Sequence, residues 1–334
     1  MCSTPIPLGH FRFIILLLVL LKLAQPASAQ QPATARDTSF TTYSAYTKAK
    51  KQNPAISIAR PPVPRRVRSK HDLVYCTRGA HGLMLDVFYP KAKRKQRLPA
   101  VLLVHGGGWR SGDRSQHVPM AQQLAAQGFV AVTAEYRLST EAQYPAAVLD
   151  LKAAIRWMRA NASAYAIDTT RIAVWGFSAG GQLAALVGTT NGNPLFEDNQ
   201  FYPTHSSSVQ AIVDVDGILA FLHPESGEGD DSKNTSAATY WFGSAKTVHP
   251  ELWQQASALT YVGPQTPPTL FINSSVARMH AGRDDMAREL SKLGVYYEVE
   301  QFTDAPHPFP LFNPWFEPTL NYTVTFLRKV FGPN

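Results

Sequence analysis

Two short strings carry the chemistry of this chain. His105-Gly106-Gly107-Gly108-Trp109 follows one apolar stretch, and Gly176-Phe177-Ser178-Ala179-Gly180 follows another about seventy residues downstream. The second has the G-x-S-x-G spacing of a sharp strand-to-helix turn that lifts a serine hydroxyl clear of the backbone, with Gly176, Ala179, Gly180 and Gly181 as the small neighbours such a turn needs. A serine hydroxyl is a weak nucleophile until a base removes its proton, so Ser178 requires a histidine. Attack on a carbonyl places negative charge on oxygen, and backbone N–H donors must meet it. Gly107, Gly108 and Ala179 are the expected donors, because glycine lets the backbone approach closely. Together the strings imply acyl transfer from an ester to water. The alternative is a glycine-rich nucleotide-binding turn with an incidental serine, but no Lys-Ser/Thr pair follows.

Elements that alternate between strand and helix periodicity must position these groups. His71 to Thr77 and Leu83 to Tyr89 read as two short strands joined by a turn at Gly79 to Gly82. Leu98 to His105 is an apolar strand ending at the first glycine run. Met120 to Gln127 reads as a helix, Phe129 to Tyr136 as a strand, and Pro145 opens a long amphipathic helix. Arg171 to Gly176 is the strand before Ser178, and Gly181 to Gly188 the helix after it. Val209 to Val215, Thr269 to Asn273 and Tyr296 to Phe302 are further strands, with helices at Met286 to Leu293 and residues 318–330. Strands alternating with helices imply parallel pairing through crossovers. Residues 222–262, long and aromatic-bearing, follow a strand and are expected to roof the site.

On HGGGW, on Tyr136-Arg137 with Tyr144-Pro145, on GFSAGG and on the region around His307, the chain resembles secreted carbohydrate esterases of the α/β-hydrolase superfamily, near the acetyl xylan, pectin acetyl and feruloyl esterases. The resemblance spans about residues 71–332. It implies an α/β-hydrolase fold, a mostly parallel central sheet flanked by helices with a lid insertion, and deacylation of plant polysaccharide. It also implies the order nucleophile, acid, histidine along the chain. His307, just after the last strand, is then the base, ahead of His223, His249 and His280. The usual acid position, after Thr269 to Asn273, falls on Ser274-Ser275. Asp216, ending the preceding strand, is the expected acid, with Asp284 as the alternative. A lid-loop anchor is the other role open to Asp216. Arg278, His280 and Arg283 are expected to bind a carboxylate or sugar hydroxyls, or else to pair with Asp284, Asp285 or Glu289.

The first residues read as a leader. Arg12 precedes an unbroken apolar run from Phe13 to Leu21, and Ala27-Ser28-Ala29 is an A-x-A cleavage site. The run is short of the ~20 residues a spanning helix needs, so residues 1–29 are expected to be cleaved and the protein to be secreted or periplasmic, with no membrane span afterwards. Cleavage removes Cys2 and leaves Cys76 alone, which excludes an intramolecular disulfide. The formal charge is +8, or +6 once Arg12 and Lys22 are gone. Residues 30–70 read as a basic, proline-containing extension of linker composition before a catalytic domain at 71–334. Their basic residues suit a solvated leader, or attraction to an anionic polymer.

Nothing in the sequence marks a cofactor or metal site: there is no cysteine cluster and no H-E-x-x-H helix. Nucleic acid is not expected as a partner. A serine esterase acting on polysaccharide or another small ester is the leading reading. A general carboxylesterase or lipase-like enzyme is the alternative, and a non-catalytic binding protein or a serine peptidase ranks below both.

Overall fold

The computed structural model describes residues 1–2, 37, 39–79, 81–91 and 97–332. The leader and its cleavage site lie outside these residues. The chain divides into two compact units, Met1–Pro32 and Ala33–Asn334, and every element below belongs to the second.

In chain order the elements are α1 (Thr42–Ala49), β1 (Ser57–Ile58), β2 (Val67–Arg78), β3 (His81–Pro90), β4 (Leu98–Val104), α2 (Val118–Ala126), β5 (Val130–Ala134), α3 (Ala146–Ala160) and α4 (Ala162–Tyr165). Then come β6 (Ile167–Phe177), α5 (Ala179–Thr189), β7 (Ala211–Val215), α6 (Ala237–Phe242), α7 (Pro250–Gln255), β8 (Thr269–Asn273), α8 (Arg283–Lys292), β9 (Tyr297–Gln301), β10 (Phe312–Asn313) and α9 (Phe316–Phe331).

Eight strands form one sheet in the order β2-β3-β5-β4-β6-β7-β8-β9. β2, β3 and β5 pair antiparallel, and every pair from β5 through β4 to β9 is parallel. This is the α/β-hydrolase fold. Helices cover both faces, so the inner strands read as unbroken apolar runs. In β4, Ala100, Leu102 and Val104 face a core shared with α3 and α5, while Val101 and Leu103 face another shared with α2 and α9. The crossing from β4 to β6 sets Val104 opposite Gly176, which brings the ends of the two motif-bearing strands side by side.

The antiparallel pair at the edge is longer than the two short strands expected. Exposed Arg68, Ser69 and Lys70 continue the β2 ladder, and register shifts between Lys70 and Leu73 and between Val74 and Cys76 hide its period-two pattern.

The linker reading of residues 30–70 does not hold from Ser39 onward. Thr41 and Ser44 cap α1 reciprocally, Ala45, Ala49, Ile56 and Ala59 are buried, and β1 pairs with β10. Few apolar residues suffice here, because each inserts into a core already built by the sheet. Arg65, Arg66, Arg68 and Lys70 stay exposed, and among the described residues none of them forms an ion pair.

The long helix also departs from simple amphipathicity: Asp150, Lys152 and Arg156 are buried on it. Asp150 accepts two hydrogen bonds from the Arg137 guanidinium, each at 2.8 Å, and Lys152 and Arg156 pair with Glu197 at 3.1 and 2.7 Å. The Asp150–Arg137 pair locks the loop after β5 onto α3. The insertion at 222–262 carries α6 and α7, whose Trp241, Phe242 and Trp253 pack with Phe221 and Trp109.

Candidate active site

Ser178 stands between β6 and α5 with φ 57° and ψ −123°, a backbone conformation a serine adopts only under constraint. The constraint is local crowding. A Cβ on Gly176 would meet the Gly180 carbonyl oxygen at 1.9 Å, and a Cβ on Gly180 would meet that of Val104 at 2.2 Å. Only glycine at both places lets the turn close against β4. The Ser178 N–H donates to Val215 O at 2.9 Å, which ties the turn to β7 as well.

β9 delivers His307 on the loop that follows it. The Ser178 hydroxyl donates to His307 Nε2 at 2.8 Å, and His307 Nδ1–H donates to Asp216 Oδ2 at 2.9 Å. The three side chains form one hydrogen-bonded chain, from hydroxyl through imidazole to carboxylate. Asp216 is buried at the end of β7, also at positive φ, and its other oxygen accepts the Ser274 N–H at 2.7 Å. Asp284 is on the first turn of α8, its side chain 76 % exposed and paired with Arg283. The loop after β8 therefore supplies a backbone donor where the resemblance leads one to expect an acid.

Gly107, Gly108 and Ala179 border the same cavity as Ser178. At φ 128° a Cβ on Gly107 would meet the Ser111 carbonyl oxygen at 2.0 Å, so this loop tolerates no other residue there. Its neighbours brace it. The Gly106 N–H donates to Gln116 at 2.9 Å, Trp109 Nε1–H to Gln182 at 2.9 Å, and the Tyr136 hydroxyl to His105 O at 3.0 Å. Trp109 also stacks on Trp241 of α6 with ring centroids 5.0 Å apart. His105 and Trp109 thus hold the loop. Behind it, His117 is fully buried edge-on to Trp175, and burial pulls its pKa down to about 3.

The cavity over Ser178 measures about 390 Å³. Of the three residues expected to bind substrate, only Arg278 reaches it. His280 is buried instead, and burial lowers its pKa. Arg283 donates to Asn273 at 2.9 Å and to Asp284 at 2.8 Å. Along the 3₁₀ turn at Ala277–His280, Arg278 and Met279 line the cavity while His280 turns into the interior, and Arg283 lies beyond the turn at the start of α8.

Among the cavity-lining residues that the motifs do not mark are Glu228 of the insertion, and Ser39 and Phe40 ahead of α1. Glu228 is one of four acids between Glu225 and Asp231, so the sequence does not single it out. Phe40 is the first of three aromatics, with Tyr43 and Tyr46, in an otherwise polar arm. The Glu228 carboxylate is 14 % exposed and lies 3.5 Å from the half-exposed Arg278 guanidinium. Burial raises its pKa, while Arg278 and His307 oppose the rise. Asp214, two residues before Asp216, is fully buried, and burial with the neighbouring Asp216 charge drives its pKa well up. Among the described residues no group of three or more His, Cys, Asp or Glu side chains is arranged to hold a metal ion.

Residues 85–279 match the profile of the BD-FAE family. The esterase LipC of Mycobacterium tuberculosis is 32 % identical over 200 residues, 58 % of this chain and 47 % of its own length. This chain spans about half the length of the curated relatives it matches. Esterase 2 of Thermogutta terrifontis superposes with a TM-score of 0.65 at 25 % identity, covering 82 % of this chain and 98 % of its own. A bifunctional GH43-CE protein of Bacteroides eggerthii superposes with a TM-score of 0.67 at 26 % identity, covering 79 % of this chain and 38 % of its own.

Proposed function

The chain belongs to the BD-FAE family, and from that premise we propose that it is a carboxylic ester hydrolase that works through an acyl-enzyme on Ser178 and removes short acyl groups from carbohydrate. The observation that carries this reading is the hydrogen-bonded chain Ser178–His307–Asp216, at 2.8 and 2.9 Å, opening into a cavity bordered by Gly107, Gly108 and Ala179.

With an ester carbonyl over Ser178, Oγ attacks carbon while His307 Nε2 takes the hydroxyl proton. Asp216 steadies the imidazolium that forms. Backbone N–H groups of the Gly107-Gly108 loop and of Ala179 meet the oxyanion, where one such donor is worth about 2.7–4 kcal/mol. The intermediate collapses as Nε2–H protonates the departing alkoxide, and the alcohol leaves. Water then attacks the acyl group, gives its proton to His307, and the tetrahedral species returns a carboxylic acid and free Ser178.

A carbohydrate alcohol is supported by the pairing of Glu228 with Arg278 at the cavity, since a sugar needs an acceptor and donors together. A short acyl group is supported by the modest cavity volume of about 390 Å³. The relatives' names, an esterase and a carboxylesterase, favour a second reading in which small esters in general are substrates. Export after cleavage at Ala29 is supported by the leader's composition alone. The deciding experiment measures kcat/KM on acetylated xylan and acetylated pectin fragments beside p-nitrophenyl acetate. A preference for the sugar esters supports the first reading, turnover of the nitrophenyl ester alone the second, and no turnover of any ester removes both.

A further inference from the structure

We infer that Asp37, Ser39 and Phe40, upstream of every strand of the main sheet, build a wall of the substrate cavity that limits the length of ester admitted, and that Arg110 is the positioning residue that holds this wall. The inference rests on the hydrolase reading of the Ser178 site.

Four observations meet here. Ser39 and Phe40 line the same cavity as Ser178 and Gly108. Asp37 turns the chain toward it: one oxygen accepts the Ser39 N–H at 2.8 Å, and the other lies 3.6 Å from Arg110 Nε. Those hydrogen bonds to Ser39, and then the Arg110 charge, keep the Asp37 pKa low, so the carboxylate stays charged. The Arg110 guanidinium in turn lies 4.4 Å over the Tyr240 ring of α6. Arg110 directly follows the HGGGW run, and its N–H donates back to Gly107 O at 3.2 Å. Arg110 therefore joins three segments: its guanidinium meets the arm at Asp37 and the insertion at Tyr240, and its backbone N–H ties it to the glycine loop.

Downstream, the wall cannot swing freely. Thr41 caps α1, Tyr46 of α1 meets Phe312 edge-on at 6.1 Å, and β1 is paired to β10. β10 begins five residues after His307, so the arm is anchored to the segment that carries the base. Phe40 is thus held at both flanks and its ring occupies space that a longer ester would need. A hydrolase cut to begin at the sheet would keep the triad and lose this wall.

The test uses the full chain with Phe40→Ala, Phe40→Leu, Arg110→Gln and Arg110→Lys, and reads kcat/KM on p-nitrophenyl acetate, butyrate and octanoate. Phe40→Ala should raise the octanoate-to-acetate ratio about tenfold, the scale expected when a pocket gains apolar room. Phe40→Leu should move it less. Arg110→Gln should move the ratio the same way, with Arg110→Lys restoring it in part. Asp37→Asn combined with Arg110→Gln should shift it no further than Arg110→Gln alone, because the two act through one contact. An unchanged ratio in folded Phe40→Ala and Phe40→Leu overturns the wall, and a ratio unmoved by Arg110→Gln removes Arg110's role in it. A parent enzyme inactive on every ester sinks the hydrolase reading instead. In that event, calorimetric binding of octanoate against acetate to the parent and Phe40→Ala chains still decides the wall: a gain for octanoate supports it, and equal affinities refute it.

Discussion

His307 Nδ1 lies 2.9 Å from Asp216 Oδ2, while Asp284 sits 76 % exposed on the first turn of α8. The carboxylate facing the imidazole comes from the end of β7, not from the loop after β8. Asp216→Asn removes the acceptor that keeps the proton on Nδ1, so kcat should fall by about 10⁴ with folding intact. Asp284→Asn breaks only an exposed pair and should keep most of the activity. Steady-state kinetics on p-nitrophenyl acetate decides, and the reverse ranking would move the acid to Asp284.

Ser178→Ala should lower kcat on the order of 10⁶-fold without loss of structure, since the hydroxyl points to the cavity and not into the core. A fluorophosphonate should add to Ser178 in the parent chain and to nothing in the variant, as read by peptide mass. Labelling that survives the substitution would place the nucleophile elsewhere.

Arg278→Gln leaves Glu228 without its facing charge. If this pair receives a sugar, KM for acetylated xylan fragments should rise by about tenfold or more, and KM for p-nitrophenyl acetate far less. Equal changes on the two substrates would assign the pair to the cavity's shape and not to the sugar.

His117 gives a pH signature of stability. Its pKa falls from 6.5 in the unfolded chain to about 3 when folded, because burial penalises the charged ring. The stability it supports is therefore whole above pH 6.5 and declines as pH drops toward 3, on the order of 1 kcal/mol per pH unit. His117→Gln has no such proton to take up. It should melt lower at pH 8 from lost packing against Trp175, yet show a shallower loss of Tm between pH 6 and pH 4. Parallel Tm curves would show that His117 does not carry this dependence.

The sequence by itself determined the fold and the two ends of the chemistry. HGGGW and GFSAG sit at strand ends because their glycines permit turns other residues cannot make, and such signals are local. His307 was legible from chain order, and Asp216 from standing at a strand's C-terminal edge. What the tertiary structure decided is what comes together from far apart. Asp216 meets Ser274 N–H and His307 across three strands, and only that meeting leaves Asp284 outside the hydrogen-bonded chain. Arg278, His280 and Arg283 lie within six residues, yet only backbone direction tells which one faces the cavity. The arm from Ser39 reads as linker because its apolar residues are few and lack period. It is ordered because Ala45, Ala49 and Ile56 find a core that other parts of the chain have built. Phe40 and Glu228 reach the cavity through contacts between segments nearly two hundred residues apart, and burial of that kind exists only once the chain has folded.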